Sequence, residues 1–218
     1  MSTIAIVGAG PGLGRSLAKV FGGHGFDVAL VARDRGRLDP LVAELAEAGI
    51  TAAGFGADVT DRPSLVAAFD QIKERFGGVE VLEYSPAPHP PTPDPVMAGP
   101  LEVSVDNLQP QVEYYLYGAV TAARQVLPGM LAAGSGTLLF TTGGGSITPH
   151  PAMANVDAAA AALRNWVLNL HQVTTEKGVY AAYVAINASP PEAEPDAVAA
   201  AYWDLYTRRE QAELVYGA

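Results

Sequence analysis

The amino-acid sequence predicts an α/β protein, a doubly wound parallel sheet in three αβα layers, with residues 1–218 forming one domain. Three observations lead there. Short β-rich runs alternate with longer helical stretches, which implies right-handed βαβ crossovers and a sheet buried on both faces. A glycine cluster sits between the first apolar run and the first amphipathic stretch. The chain is 49% apolar and 17% charged over 218 residues, enough apolar surface for a two-faced sheet and too little charge for disorder.

In order, strands are expected at Ile4–Val7, Val28–Ala32, Thr51–Ala57, Val79–Tyr84, Thr137–Thr142 and Val179–Ile186. Helices fit Leu13–His24, Arg35–Ala48, Arg62–Phe76, Val105–Ala132 and Ala152–Lys177. Pro195 and Asp196 open a last helix through about Arg208, and Glu213–Tyr216 suits an edge strand. Residues 86–103 begin where the fourth strand should end and are crowded with proline, which lacks the donor a helix or strand interior needs. Two readings of this loop stand side by side: a rigid surface connection, or a substrate-pocket wall at the carboxyl edge of the sheet.

Composition excludes several functions. There is no cysteine, so disulfides, thiolate catalysis and Cys-based zinc sites are absent, and no metal site is predicted. A net charge of -10 disfavours nucleic acid as a partner. Met1-Ser2-Thr3 leads directly into an apolar strand without a signal-peptide pattern, and no apolar run reaches the length of a membrane span. A cytoplasmic protein with no membrane partner is expected. Any anionic ligand must meet a local positive field, which Arg33, Arg35 and Arg37 can supply.

The strongest motif is Gly8-Ala9-Gly10-Pro11-Gly12-Leu13-Gly14. Directly after a strand and before a helix, its glycines permit a tight turn and close backbone approach, and the helix N-terminus presents free N–H groups to a pyrophosphate. Gly8, Gly12 and Gly14 give the G-x-x-x-G-x-G spacing, while Gly10 also allows a Gly8-x-Gly10-x-x-x-Gly14 reading. Together with Ala57-Asp58-Val59-Thr60-Asp61, Val126-Leu127-Pro128-Gly129-Met130 and Gly136-Thr137-Leu138-Leu139-Phe140, this spacing resembles the short-chain dehydrogenase/reductase family, from about Thr3 to the Ala152–Lys177 helix.

That resemblance implies a Rossmann-type fold and a nicotinamide dinucleotide held by Gly8, Gly10, Pro11, Gly12, Leu13 and Gly14, with Asp58 and Val59 beside the adenine and Ser85-Pro86 lining the cofactor. Asp58 is alternatively a cap for the following helix. In the family an acidic residue ending the second strand favours NAD and a basic residue just after it favours a 2′-phosphate. Ala32-Arg33 therefore points to NADP(H) over NAD(H), through charge-assisted hydrogen bonds from the guanidinium. The alternatives for Arg33 are an ion pair with Asp34 or Asp58, or solvation; Arg35 and Arg37 either assist or form a solvated helix face.

The family's catalytic half is not preserved. Its Asn-Asn-Ala-Gly segment reads Tyr84-Ser85-Pro86-Ala87; its catalytic Asn position falls on Tyr115, three residues before Gly118; its Ser position falls near Gly143, with Ser146 three residues later as a displaced substitute. The Tyr-x-x-x-Lys pair, in which an ammonium lowers a phenol's pKa on one helix face, is replaced by Val156 and Ala160. Candidate replacements are Tyr115, Tyr84 and Ser146, within a wider polar set of His89, Tyr114, Tyr117, His150, Asn155 and Asp157. Each of these also has a structural reading, a packed tyrosine or a loop histidine.

Three functions are compatible with this pattern. One is a divergent NADP(H)-dependent oxidoreductase acting on a small carbonyl or imine; another is a catalytically inactive dinucleotide-binding or sensor protein; the third is a pocket recruited for non-redox chemistry. By the same resemblance, the helices carrying Tyr114–Val126 and Ala158–Leu170 are expected to pack against symmetry mates in a homodimer or homotetramer.

Overall fold

In the computed structural model, which describes residues 2–86, 97–187 and 194–217, the chain forms a single seven-stranded sheet. The strands are β1 (Thr3–Val7), β2 (Asp27–Ala32), β3 (Ala52–Gly56), β4 (Val81–Tyr84), β5 (Gly136–Gly143), β6 (Val179–Ile186) and β7 (Glu213–Tyr216). All pairings are parallel, in the order β3-β2-β1-β4-β5-β6-β7. The order reverses between β1 and β4, and in open α/β sheets the crevice outside the strand carboxyl ends at that point is where ligands bind.

The helices are α1 (Leu13–Gly23), α2 (Asp39–Glu47), α3 (Arg62–Phe76), α4 (Val105–Val112), α5 (Gly118–Ala133), α6 (Ala154–Thr174) and α7 (Pro195–Arg208). Period-two alternation sorts the strands between two cores. Ala5, Val7, Leu82, Tyr84, Phe140 and Tyr183 face the side of α3, α5 and α6, while Ile4, Ile6, Val81, Leu139 and Val184 face the side of α1, α2 and α7. The α/β doubly wound prediction is therefore correct, and the strand limits fall within two residues of expectation.

The helices depart from expectation in two places. Arg35–Ala48 is not one helix: a 3₁₀ turn at Arg35–Leu38, capped by Asp34 accepting from Gly36 N, precedes α2, whose first turn carries Pro40. The predicted helix 105–132 is interrupted by a π-helical turn at Glu113–Tyr117, between α4 and α5. Pro110 lies inside α4 and removes a backbone donor just upstream, and π turns of this kind concentrate at functional sites. Sequence periodicity cannot see one inserted residue in a helix that continues on both sides.

Candidate functional site

The turn between β1 and α1 is shaped by close approach. Gly8 has φ +96°, and a Cβ there would fall 2.5 Å from Pro86 backbone atoms, so the end of β1 and the end of β4 touch only because residue 8 lacks a side chain. The N–H groups of Gly8 and Ala9 both donate to the Val31 carbonyl, at 2.9 and 3.0 Å. A Cβ at Gly10 or Gly12 would meet nothing within 4 Å, so the turn presents bare backbone to open space. No side chain caps α1 at Gly12, which leaves N–H groups of its first turn for an anion.

Above this turn lies a cavity of about 910 Å³. Gly8, Gly10 and Pro11 form its floor, Ala57 and Val59 one wall, Pro86 and Tyr114 another, and Arg15, Arg33 and Arg37 its charged rim. Among the expected cofactor residues, Gly12, Leu13, Gly14, Asp58 and Ser85 lie outside this lining, although Ser85 abuts Gly8.

The rim charges are distributed unevenly. Arg15 and Lys19 both bind Glu44, at 2.5 and 2.6 Å, and hold its carboxyl down at about 2. Arg35 donates to the Gly54 carbonyl and is turned onto β3. Asp34 is engaged by Gly36 N and by Arg37 at 3.4 Å, and Asp58 accepts from both the N–H and the hydroxyl of Thr60. Neither aspartate pairs with Arg33, and Asp61 rather than Asp58 caps α3. Among the described residues Arg33 has no hydrogen-bonding or ion-pair partner, so its guanidinium stands available at the cavity rim.

The neighbouring edge, over β4 to β6, is built from side chains. Tyr183 Oη of β6 lies 2.7 Å from Ser146 Oγ and is hydrogen-bonded to Thr142, whose hydroxyl reaches the Gly143 carbonyl; with Thr142 donating there, Tyr183 donates to Thr142 and accepts from Ser146. Tyr115 lies in this neighbourhood: burial first, then the nearby Tyr183 and Asp157, push its phenol up to about 12. Tyr115 and Ser146 thus share Tyr183 as a neighbour, a residue that sequence reasoning missed because a tyrosine at strand period reads as core.

Tyr84 is placed differently. It is fully buried, its Oη donates to the Tyr114 carbonyl at 2.6 Å, and it fills the space a Cβ on Gly118 would need. That carbonyl belongs to the π turn, where the regular helical ladder is broken. Tyr84 therefore satisfies and shapes the turn, and its phenol proton is committed there.

Asn155 is buried as well: Oδ1 accepts from Ala98 N and Nδ2 donates to the Asn107 carbonyl, clipping the segment before α4 to α6. Asp157 accepts from His150 N at 2.7 Å, and the His150 side chain is exposed. Tyr117 is exposed under the Arg62 guanidinium. On α6, Val156 is half-buried and Ala160 buried, and neither can move a proton. His89 and positions 87–96 of the proline-rich loop lie outside the described residues.

With this geometry in hand, comparison with known proteins is direct. The family model for short chain dehydrogenases matches residues 2–192, and the chain belongs to that family of oxidoreductases, whose members bind nicotinamide dinucleotides. A putative ketoacyl reductase of Streptomyces coelicolor is 33% identical over 156 residues, covering 69% of this chain and 58% of that protein. A very-long-chain 3-oxoacyl-CoA reductase of Anas platyrhynchos is 26% identical over 80% of this chain and 55% of its own length, so the chain spans a little over half of these relatives. A short-chain dehydrogenase from Rhodopseudomonas palustris superposes with a TM-score of 0.86 at 26% identity, over 98% of this chain and 97% of that one. A metagenomic short-chain oxidoreductase solved with NADP superposes equally well, at 0.86, but at 20% identity over 98% of this chain and 96% of that one, a likeness of fold. Among the described residues no helix is long and apolar enough to cross a membrane.

Proposed function

We propose that the protein is an NADP(H)-dependent oxidoreductase acting on a small carbonyl or imine, with proton delivery moved away from the family's helix Tyr-x-x-x-Lys. The observation that carries the cofactor half is the bare glycine turn under a cavity lined also by Arg33, which has no hydrogen-bonding or ion-pair partner among the described residues. A dinucleotide bound there supplies hydride at its nicotinamide. The chain's own part begins with the turn, where residues 8–11 let a pyrophosphate approach backbone N–H groups. Val59 offers an apolar wall for adenine, and Arg33 offers a fork of donors to a 2′-phosphate.

Tyr115 and Ser146 are the groups best placed to hold a proton near the other end of the site. With its phenol pushed up to about 12, Tyr115 stays protonated at neutral pH and can donate to a developing oxyanion. An iminium substrate is already cationic and needs no strong acid.

A second reading, a dinucleotide-binding protein without redox turnover, is favoured by the apolar Val156 and Ala160. One experiment separates the two: NADPH consumption with a panel of aldehydes, ketones and cyclic imines. Turnover with any class supports the oxidoreductase; tight NADPH binding with no turnover across the panel supports the second reading. Ala158 and Ala161 are exposed on α6 and leave room for close helix approach, which supports a homodimer or homotetramer testable by light scattering.

A further inference from the structure

Glu83 is a carboxylic acid in the middle of a parallel sheet. Its strand neighbours are Ile6 on β1 and Leu139 on β5, and it is completely shielded, on the face covered by α1 and α7. No cation pairs with it among the described residues, and a lone ionised carboxylate there would carry a large desolvation cost. It is instead surrounded by hydroxyls. Ser85 Oγ lies 2.9 Å from Oε2, Thr141 Oγ1 lies 3.2 Å from Oε1, and Thr141 Oγ1 is 2.5 Å from Tyr202 Oη on α7. Burial pushes Glu83 up to about 8, against the two hydroxyls that pull it down, so the acid is protonated at neutral pH.

The protons can be followed one by one. With Glu83 ionised, Tyr202 donates to Thr141, Thr141 to Oε1 and Ser85 to Oε2, so all three hydroxyl protons point inward. A fourth proton on the carboxyl forces one of them to reverse. Tyr202 Oη is fully buried and has only Thr141 as a partner among the described residues, and turning its proton away would orphan it. Ser85 is half-buried at the end of β4, so the change falls there. Glu83 Oε2–H then donates to Ser85 Oγ, and the Ser85 proton turns outward.

Ser85 stands at the crossing of the two edges. Its N–H donates to the Val7 carbonyl at 2.9 Å, its own carbonyl carbon lies 2.8 Å from where a Gly8 Cβ would be, and Pro86 beside it lines the cavity. We propose that protonated Glu83 is a positioning residue: it turns the Ser85 hydroxyl outward as a donor to an acceptor oxygen of the bound dinucleotide, which couples dinucleotide binding to proton uptake at Glu83. This rests on the dinucleotide reading of the site. The groups facing Glu83 are few. β1 contributes Ile6, β5 contributes Leu139 and Thr141, and α7 contributes Tyr202, kept neutral by burial. On α1, Ser16 is engaged by Asp196 of α7 at 2.5 Å, and Arg15 is turned out to Glu44.

The test is calorimetric titration of the full chain with NADPH, in pairs of buffers of different ionisation enthalpy. If the protonated state binds about tenfold tighter, the unmodified protein takes up about half a proton at pH 8.5 and little at pH 7, with affinity falling up to about tenfold as pH rises. Glu83→Gln, whose amide donates to Ser85 in every condition, is expected to show no uptake and an affinity flat across pH 7–9. Ser85→Ala is expected to bind more weakly at pH 7 and to lose the uptake. If Glu83→Gln does not fold, the unmodified chain and Ser85→Ala still decide. Binding without proton uptake, or uptake that persists in Ser85→Ala, overturns the inference alone. Failure of NADPH to bind at any pH overturns it together with the reading of the site.

Discussion

Over β1 to β3 the carboxyl edge of the sheet is made of backbone, and over β4 to β6 it is made of side chains. The first region offers the bare turn at residues 8–12 and the uncapped start of α1, with Arg33 in the cavity lining. The second offers Tyr115, Ser146 and Tyr183 around the glycines that end β5. The difference teaches which features a fold can exchange cheaply. A backbone cradle depends on glycine conformations that few substitutions leave intact, whereas a proton can come from any hydroxyl held at the right place.

The comparison breaks most visibly at the side-chain edge. If Tyr115 donates the proton, Tyr115→Phe lowers NADPH-dependent carbonyl reduction by about a hundred- to ten-thousand-fold while NADPH affinity holds. Turnover that survives both Tyr115→Phe and Ser146→Ala locates the donor elsewhere. Tyr84→Phe should instead cost about 1 kcal/mol of stability, read by urea unfolding, because it removes the bond to the Tyr114 carbonyl.

At the backbone edge the expected losses are in binding. Gly8→Ala forces a Cβ into Pro86 at a positive φ, so it should cost about 1–3 kcal/mol of stability and about a hundredfold in NADPH affinity. Gly10→Ala has open space around it and should weaken NADPH without shifting the unfolding midpoint. A parallel fall in stability for Gly10→Ala would mean that the turn is strained at more than one position. Smaller again, Arg33→Ala should reduce the preference for NADPH over NADH about tenfold, the scale of a lost charge-assisted hydrogen bond.

How much of this was legible depends on whether the signal lies along the chain or across it. The strands and the turn from β1 into α1 are local patterns, and both fall where the apolar runs and the glycines from Gly8 to Gly14 put them. The π turn at Glu113–Tyr117 is a one-residue insertion with no compositional mark. Tyr183 meets Thr142 and Ser146 only because β5 and β6 pair in register, which a single chain does not announce. Glu83 was visible in principle, as a lone carboxylate inside the apolar run Val79–Tyr84, but its hydroxyl partners come from β4, β5 and α7.

Glu83 also predicts the most gradual effect, spread over several pH units. Its folded value near 8 lies above the ordinary carboxylate value of 4.5, so the folded state holds a proton that the unfolded chain releases. The stabilising contribution is complete below about pH 4.5 and is lost as pH rises towards 8, by about 1.4 kcal/mol per unit between those two values. Urea unfolding at pH 5, 6.5 and 8 should therefore show Glu83→Gln gaining on the unmodified protein as pH rises; a constant difference would contradict a buried neutral acid.

The most direct test of the account is titration of the unmodified protein with NADPH and with NADH, side by side at pH 7. An open glycine turn, with an Arg33 that has no partner among the described residues, predicts that both bind and that NADPH binds about tenfold tighter. Equal affinities, or binding of neither, would contradict it.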